Sequence, residues 1–183
     1  MRFAIRSTAV AGALAFSLCL AATGPARADG GGGGGGGSNT DTDRCGKGQY
    51  WSDRTGRCEK LQAGVLPDKE LAQYAYALAK HERFAEAIEV LNLMKDPNTA
   101  EALNYRGYAT RHLGRLDEGI GYYLKSVELD PKYAQVREYL GEAYVIRGDM
   151  AKAQEQLAVI KSICGTECEE YEDLEKAISG ARS

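Results

Sequence analysis

Residues 101–131 read "EALNYRGYATRHLGRLDEGIGYYLKSVELDP". Apolar side chains recur at spacings of three and four on both sides of Gly114, which predicts two amphipathic helices separated by a glycine turn. Asp130-Pro131 predicts the end of the second helix, because the residue before a proline is pushed out of the α region. Gly107 and Gly119 stand twelve apart. Two antiparallel helices joined by a short turn approach most closely at one level, and each must present a small side chain there or be wedged open.

The same texture runs from Asp68 onward in three units, 68–99, 100–133 and 134–167. Small residues recur at the eighth place (Ala75, Gly107, Gly141) and at the twentieth (Ala87, Gly119, Ala153), always twelve apart. Bulky apolar residues fill the flanks: Leu71, Leu78, Phe84, Ile88 and Leu91 in the first unit, Leu103, Leu116, Ile120 and Tyr123 in the second, Leu140, Tyr144, Leu157 and Ile160 in the third. Gly148 repeats the turn signal of Gly114, and Asp96-Pro97 repeats the stop of Asp130-Pro131, 34 residues earlier.

This pattern resembles the tetratricopeptide repeat, a helix-turn-helix unit of about 34 residues that stacks into a right-handed solenoid. The resemblance covers residues 68–167 and implies an all-α fold of three repeats. Departures are local: Arg137 stands at the fourth place of the third unit, where the others have Leu71 and Leu103, and the usually small twenty-seventh place holds Met94 and Ile160. Family resemblance implies a groove, lined by the first helix of each unit, that holds a partner's peptide or helix. The places that face it carry Tyr76 and Lys80 in the first unit and Asn104, Tyr108, Arg111 and His112 in the second. In the third they carry Gln135, Glu138, Glu142, Val145 and Ile146. Tyr76, Lys80, Asn104, Tyr108, Arg111 and His112 are the expected contact residues, the asparagine pairing with a peptide backbone and the rings burying an apolar anchor. The carboxylate clamp of the chaperone-binding members is not expected, since its lysine and asparagine places in the first unit hold Ala72 and Tyr76.

Ahead of the repeats, Arg2 and Arg6 precede the 14-residue apolar run "AVAGALAFSLCLAA" and an Ala26-Arg27-Ala28 end. These mark residues 1–28 as a secretory signal peptide. The run falls short of the ~20 residues that span a bilayer, so no membrane span is expected. Cleavage takes three of the 23 basic residues and none of the 26 acidic ones, moving the net charge from −3 to −6. A chain so acidic has no electrostatic reason to seek nucleic acid or anionic lipid. Residues 29–44, with eight consecutive glycines, are expected to be disordered, because nothing in them offsets the ordering entropy.

Cleavage also discards Cys19 and leaves Cys45, Cys58, Cys164 and Cys168, an even number that favours two disulfides in an exported chain. "CGKGQYWSDRTGRC", 45–58, reads as a small hairpin closed by its end cysteines, with 59–67 as linker. Tyr50 and Trp51 could stack on a sugar or cover the hairpin's bare face.

At the other end "CGTEC", 164–168, joins the last repeat to a capping helix over 168–180, with Thr166 as its expected N-cap. A bond between Cys164 and Cys168 would staple that corner. A zinc site lacks nearby histidines, since His81 and His112 lie in earlier repeats. The thiol-redox reading rests on Cys168 near a helix N-terminus, without a C-x-x-C spacing. No phosphate-binding glycine loop precedes a lysine.

The expected protein is therefore a non-enzymatic interaction scaffold, periplasmic or secreted, without metal or cofactor, whose partner is an envelope protein or peptide. Three repeats sit at the lower limit for a solenoid, which leaves room for a homodimer. The alternatives are a cell-wall or glycan-binding module built on Tyr50-Trp51, and a thiol-disulfide protein using Cys164 and Cys168.

Overall fold

The computed structural model describes residues 44–181. The expected signal peptide and almost all of the glycine-rich segment lie outside the described residues. Strands β1 (Gln49–Ser52) and β2 (Arg57–Lys60) are followed by helices α1 (Asp68–Lys80), α2 (Phe84–Leu91), α3 (Ala100–His112), α4 (Leu116–Leu129), α5 (Ala134–Arg147), α6 (Met150–Cys164) and α7 (Glu169–Gly180). Each of the first six helices packs against its hairpin partner and against the next unit, and α7 lies against α5 and α6.

Small side chains set the helix spacing. A Cβ on Gly107 would stand 2.6 Å from the Tyr123 ring and 3.1 Å from the Gly119 carbonyl oxygen. In the third unit the small place works differently. A Cβ on Gly141 would stand 2.6 Å from Cδ1 of Leu174 on α7, so this glycine receives the cap rather than its own hairpin partner. Ala75, Ala87 and Ala153 are buried at the equivalent positions.

The turns follow the sequence with one exception. Gly114 and Gly148 adopt φ of +82° and +86°, the left-handed conformation that glycine takes without steric cost. The first unit places Glu82 at this turn with φ +61°. A second departure concerns the end of α2. Asp96-Pro97 does not stop this helix, which finishes at Leu91. The loop beyond is held instead by Asp68, whose carboxylate accepts the backbone amides of Lys95 and Asp96, each at 2.9 Å. Those bonds favour the ionised form and lower the Asp68 pKa. Met94 therefore stands outside the helix, which explains how a large residue fits its place. In the second unit Ser126 is fully buried there and donates to the Ala100 carbonyl at 2.6 Å.

The hairpin is closed by the Cys45–Cys58 disulfide, and its strands pair from Gln49↔Lys60 to Ser52↔Arg57. Residues 59 and 60, read as linker, complete β2. The hairpin is not a free appendage. Tyr50 and Leu61 share a core with Leu71, Tyr74 and Leu78, Tyr74 donates to the Gln49 carbonyl at 2.7 Å, and Gly48 N donates to Glu86 at 3.0 Å. A two-stranded ribbon has too little apolar surface to hold itself, so it borrows the exposed edge of the first repeat. Of the two readings of this pair, covering the bare face holds for Tyr50, which is buried with its hydroxyl on Glu59, while the Trp51 ring reaches the surface, beneath Arg44.

At the far end, Cys164 and Cys168 are disulfide-bonded. The N-cap of α7 is Cys168 and not Thr166, and no side chain caps this helix. Bonded to Cys164 with its Cα 6.0 Å away, Cys168 fixes the corner two residues later than the capping-box spacing suggests. Leu174 and Ile178 are the buried residues of α7 and seal the last repeat.

Candidate partner-binding groove

Helices α1, α3 and α5 contribute successive walls of one cavity of about 550 Å³, and α7 closes its end. Five of the six expected contact residues line it: Tyr76, Lys80, Tyr108, Arg111 and His112. Asn104 does not. It is fully buried, and its Nδ2 donates to the Tyr133 hydroxyl and to Gln135 Oε1, each at 3.1 Å. This amide ties α3 to the start of the third unit instead of meeting a peptide backbone.

The floor is aromatic, and it obeys a rule that runs between repeats. A tyrosine at the ninth place of one unit packs on a tyrosine at the sixth place of the next: Tyr76 stacks on Tyr105 at 4.5 Å, and Tyr108 meets Tyr139 at 5.0 Å. Tyr76 and Tyr139 also join hydroxyls at 3.1 Å, spanning three units. Tyr139 was absent from the expected set. Its signal was present, because the sixth and ninth places are one helical turn apart and so share a face.

Charge divides the groove in two. At one end, Lys80 Nζ lies 5.9 Å from the Tyr76 ring centre and 5.8 Å from that of Tyr108, with Arg111 5.7 Å from Tyr108 on the other side. His112 is stacked on Phe84 at 4.8 Å. Partial burial, followed by repulsion from Arg111, lowers the His112 pKa. Arg111 is largely buried and bonds Glu142 of α5 at 2.8 Å, which joins the second and third units by charge. At the other end stand Glu138, Glu142, Glu169, Glu170 and Asp173. Glu170 and Asp173 line the cavity because α7 folds back across the end of α5. Burial, followed by repulsion from Glu142 and Asp173, pushes the Glu138 carboxyl up to about 8.

Cys164, Cys168 and Glu170 bring ligand-type atoms within 4.8 Å of one another. Both sulfurs are bonded to each other and so do not offer thiolates.

The family model described as tetratricopeptide repeat matches residues 122–155, from the middle of α4 into α6. The fold is a tetratricopeptide-repeat-type helical solenoid. No curated protein matches the sequence. Among solved structures, the tetratricopeptide-repeat helices resemble those of MamA, with 23% identity over 62% of this chain and 67% of that one at a TM-score of 0.52. A TPR2B domain of yeast Sti1, in complex with an Hsp70 peptide, is 18% identical over 63% of this chain and 95% of that one, at a TM-score of 0.55. The Yersinia enterocolitica type III secretion chaperone SycD, in complex with a peptide of the translocator YopD, is 18% identical over 64% and 92% respectively, at a TM-score of 0.51. At these identities the likeness speaks to the fold. Among the described residues no helix is long and apolar enough to cross a membrane.

Proposed function

We propose that this tetratricopeptide-repeat protein is an interaction scaffold of the bacterial envelope, exported by its N-terminal segment, which holds a partner's peptide or helix in the groove of α1, α3, α5 and α7. The observation that carries the reading is the aromatic floor: Tyr76 meets Tyr108 edge to face and Tyr108 meets Tyr139 at a tilt, inside a cavity of about 550 Å³ whose rim is charged. Rings with polar tips offer a large contact area at small conformational entropy, which suits recognition of a chain segment. Solved relatives of similar fold carry bound peptides, as in the Sti1 and SycD complexes.

The test is photocrosslinking in the native cells from a photoreactive residue at Lys80, which is exposed on the rim. An exported protein should be captured, and Tyr108→Ala in the same chain should abolish that capture at a temperature where circular dichroism shows the variant still folded. Equal capture by the Tyr108→Ala chain, or capture of cytoplasmic proteins alone, would count against the reading.

A further inference from the structure

Glu138 stands apart from every other acid of the groove. It is 7% exposed, lines the cavity, and makes neither a hydrogen bond nor an ion pair with any described residue. Arg111 is committed to Glu142 at 2.8 Å. Glu169, Glu170 and Asp173 on α7 add negative charge on the same side. Lys80 and His112 belong to the wall of α1 and α3, with Lys80 over the rings of Tyr76 and Tyr108. A carboxylate withdrawn from water without a counter-ion is unfavourable by several kcal/mol in its charged form, and a cation brought against it relieves that at once.

We infer that the α5–α7 end of the groove is a receptor for a cationic side chain, and that the bound partner segment inserts a lysine or arginine against Glu138. This rests on the peptide-binding reading above and gives it a specificity. The cation replaces the proton that Glu138 otherwise holds, with Glu170 and Asp173 as the outer rim that draws it in. The aromatic floor between α1 and α5 takes the apolar residues beside it. Glu138→Gln keeps the shape and the hydrogen-bonding capacity of the site while removing the charge.

The probe is a bead-displayed library of random dodecapeptides with acetylated N-termini, so that a selected cation is a side chain and not a chain end. The full exported chain should select peptides enriched in lysine or arginine at one position. The best of these should bind Glu138→Gln about tenfold to a hundredfold more weakly, as expected when a charge-assisted contact is lost. Replacing the peptide's basic residue by norleucine should cost as much on the native chain and nothing further on the variant. Affinity should also rise with pH between about 6 and 9 on the native chain and stay flat on Glu138→Gln. Should the glutamine variant melt early, Asp173→Asn on the exposed rim serves instead, with an expected loss of a few-fold.

Selected peptides that depend on Tyr108 but carry no common cation would overturn this inference and leave the peptide-binding reading standing. Binding of no peptide by the native chain would overturn both. Basic peptides held equally by the native chain, Glu138→Gln and Asp173→Asn would overturn the role assigned to this end of the groove.

Discussion

Gly107 and Gly119 lie against each other's carbonyl oxygens, at 3.1 and 3.0 Å from where the added Cβ atoms would be. No side chain fits between α3 and α4 at that level. Gly107→Ala should destabilise the fold by about 1–3 kcal/mol, because the new methyl meets the ring of Tyr123, which is fully buried and has nowhere to move. Gly121 on the same α4 meets nothing within 4 Å, so Gly121→Ala should stabilise by about 0.5–1 kcal/mol through helix propensity alone. Denaturant melts of the two variants should move in opposite directions.

Glu82 occupies the left-handed turn that Gly114 and Gly148 occupy in the other units, and does so with φ +61°. A non-glycine residue is disfavoured in that conformation by about 1–2 kcal/mol. Glycine loses more freedom on folding, so the net gain from Glu82→Gly should be about 0.5–1 kcal/mol. Thermal unfolding will show it as a rise in midpoint; a fall would mean that the Glu82 side chain supports the turn.

Tyr50 and Trp51 are neighbours with opposite fates, one buried against the first repeat and the other half-buried at the surface. Tyr50→Ala should therefore destabilise by about 3–5 kcal/mol, as deletion of a core ring does. Trp51→Ala should cost clearly less. Equal losses would mean that the hairpin does not share the core of the helices.

Leu174 is fully buried against Gly141 and holds α7 in place together with the Cys164–Cys168 bond. Leu174→Ala should destabilise by about 2–5 kcal/mol. Reduction of that disulfide, which closes a very short loop, should cost about 2 kcal/mol by chain entropy. Hydrogen exchange should localise the reduction effect to α7, with α1 and α2 unchanged. Global loss of protection would show that the cap is needed by the whole stack.

Glu138 makes stability depend on pH in a definite sense. Its carboxyl titrates near 4.5 when unfolded and at about 8 in the fold. Between those values the folded protein holds a proton that the unfolded chain has released, so stability is full below the lower value and falls as pH rises through the higher one. His112 acts in the other direction: its lowered pKa removes stability as pH falls below its ordinary 6.5. Comparing the native chain with Glu138→Gln isolates the first effect, which should appear as a native-only decline between about pH 5 and 8. Parallel curves would show that Glu138 titrates as an ordinary acid.

The repeat architecture was legible in the chain because it rests on local rules. Glycine or alanine twelve apart, a turn glycine and an apolar period of three and four each act within one hairpin, where sequence distance and spatial distance agree. The hairpin disulfide and the bond at "CGTEC" were legible for the same reason. Five of six groove residues followed from the family's places on one helix face. What the sequence could not show depends on which surfaces meet after stacking. Asn104 has the chemistry of a contact residue, yet the third unit covers it. Tyr50 has that of a sugar platform, yet the first repeat's bare edge claims it. Gly141 was read as a partner of Ala153, and α7 took the space. The loop that follows the early end of α2 is held by the carboxylate of Asp68, 27 residues before Lys95. Periodicity thus determined the helices and their pairing, since both are short-range consequences of side-chain size. Tertiary structure alone decided the bipolar charge of the groove and the unpaired state of Glu138, because burial and neighbours across repeats set the energy of a charge.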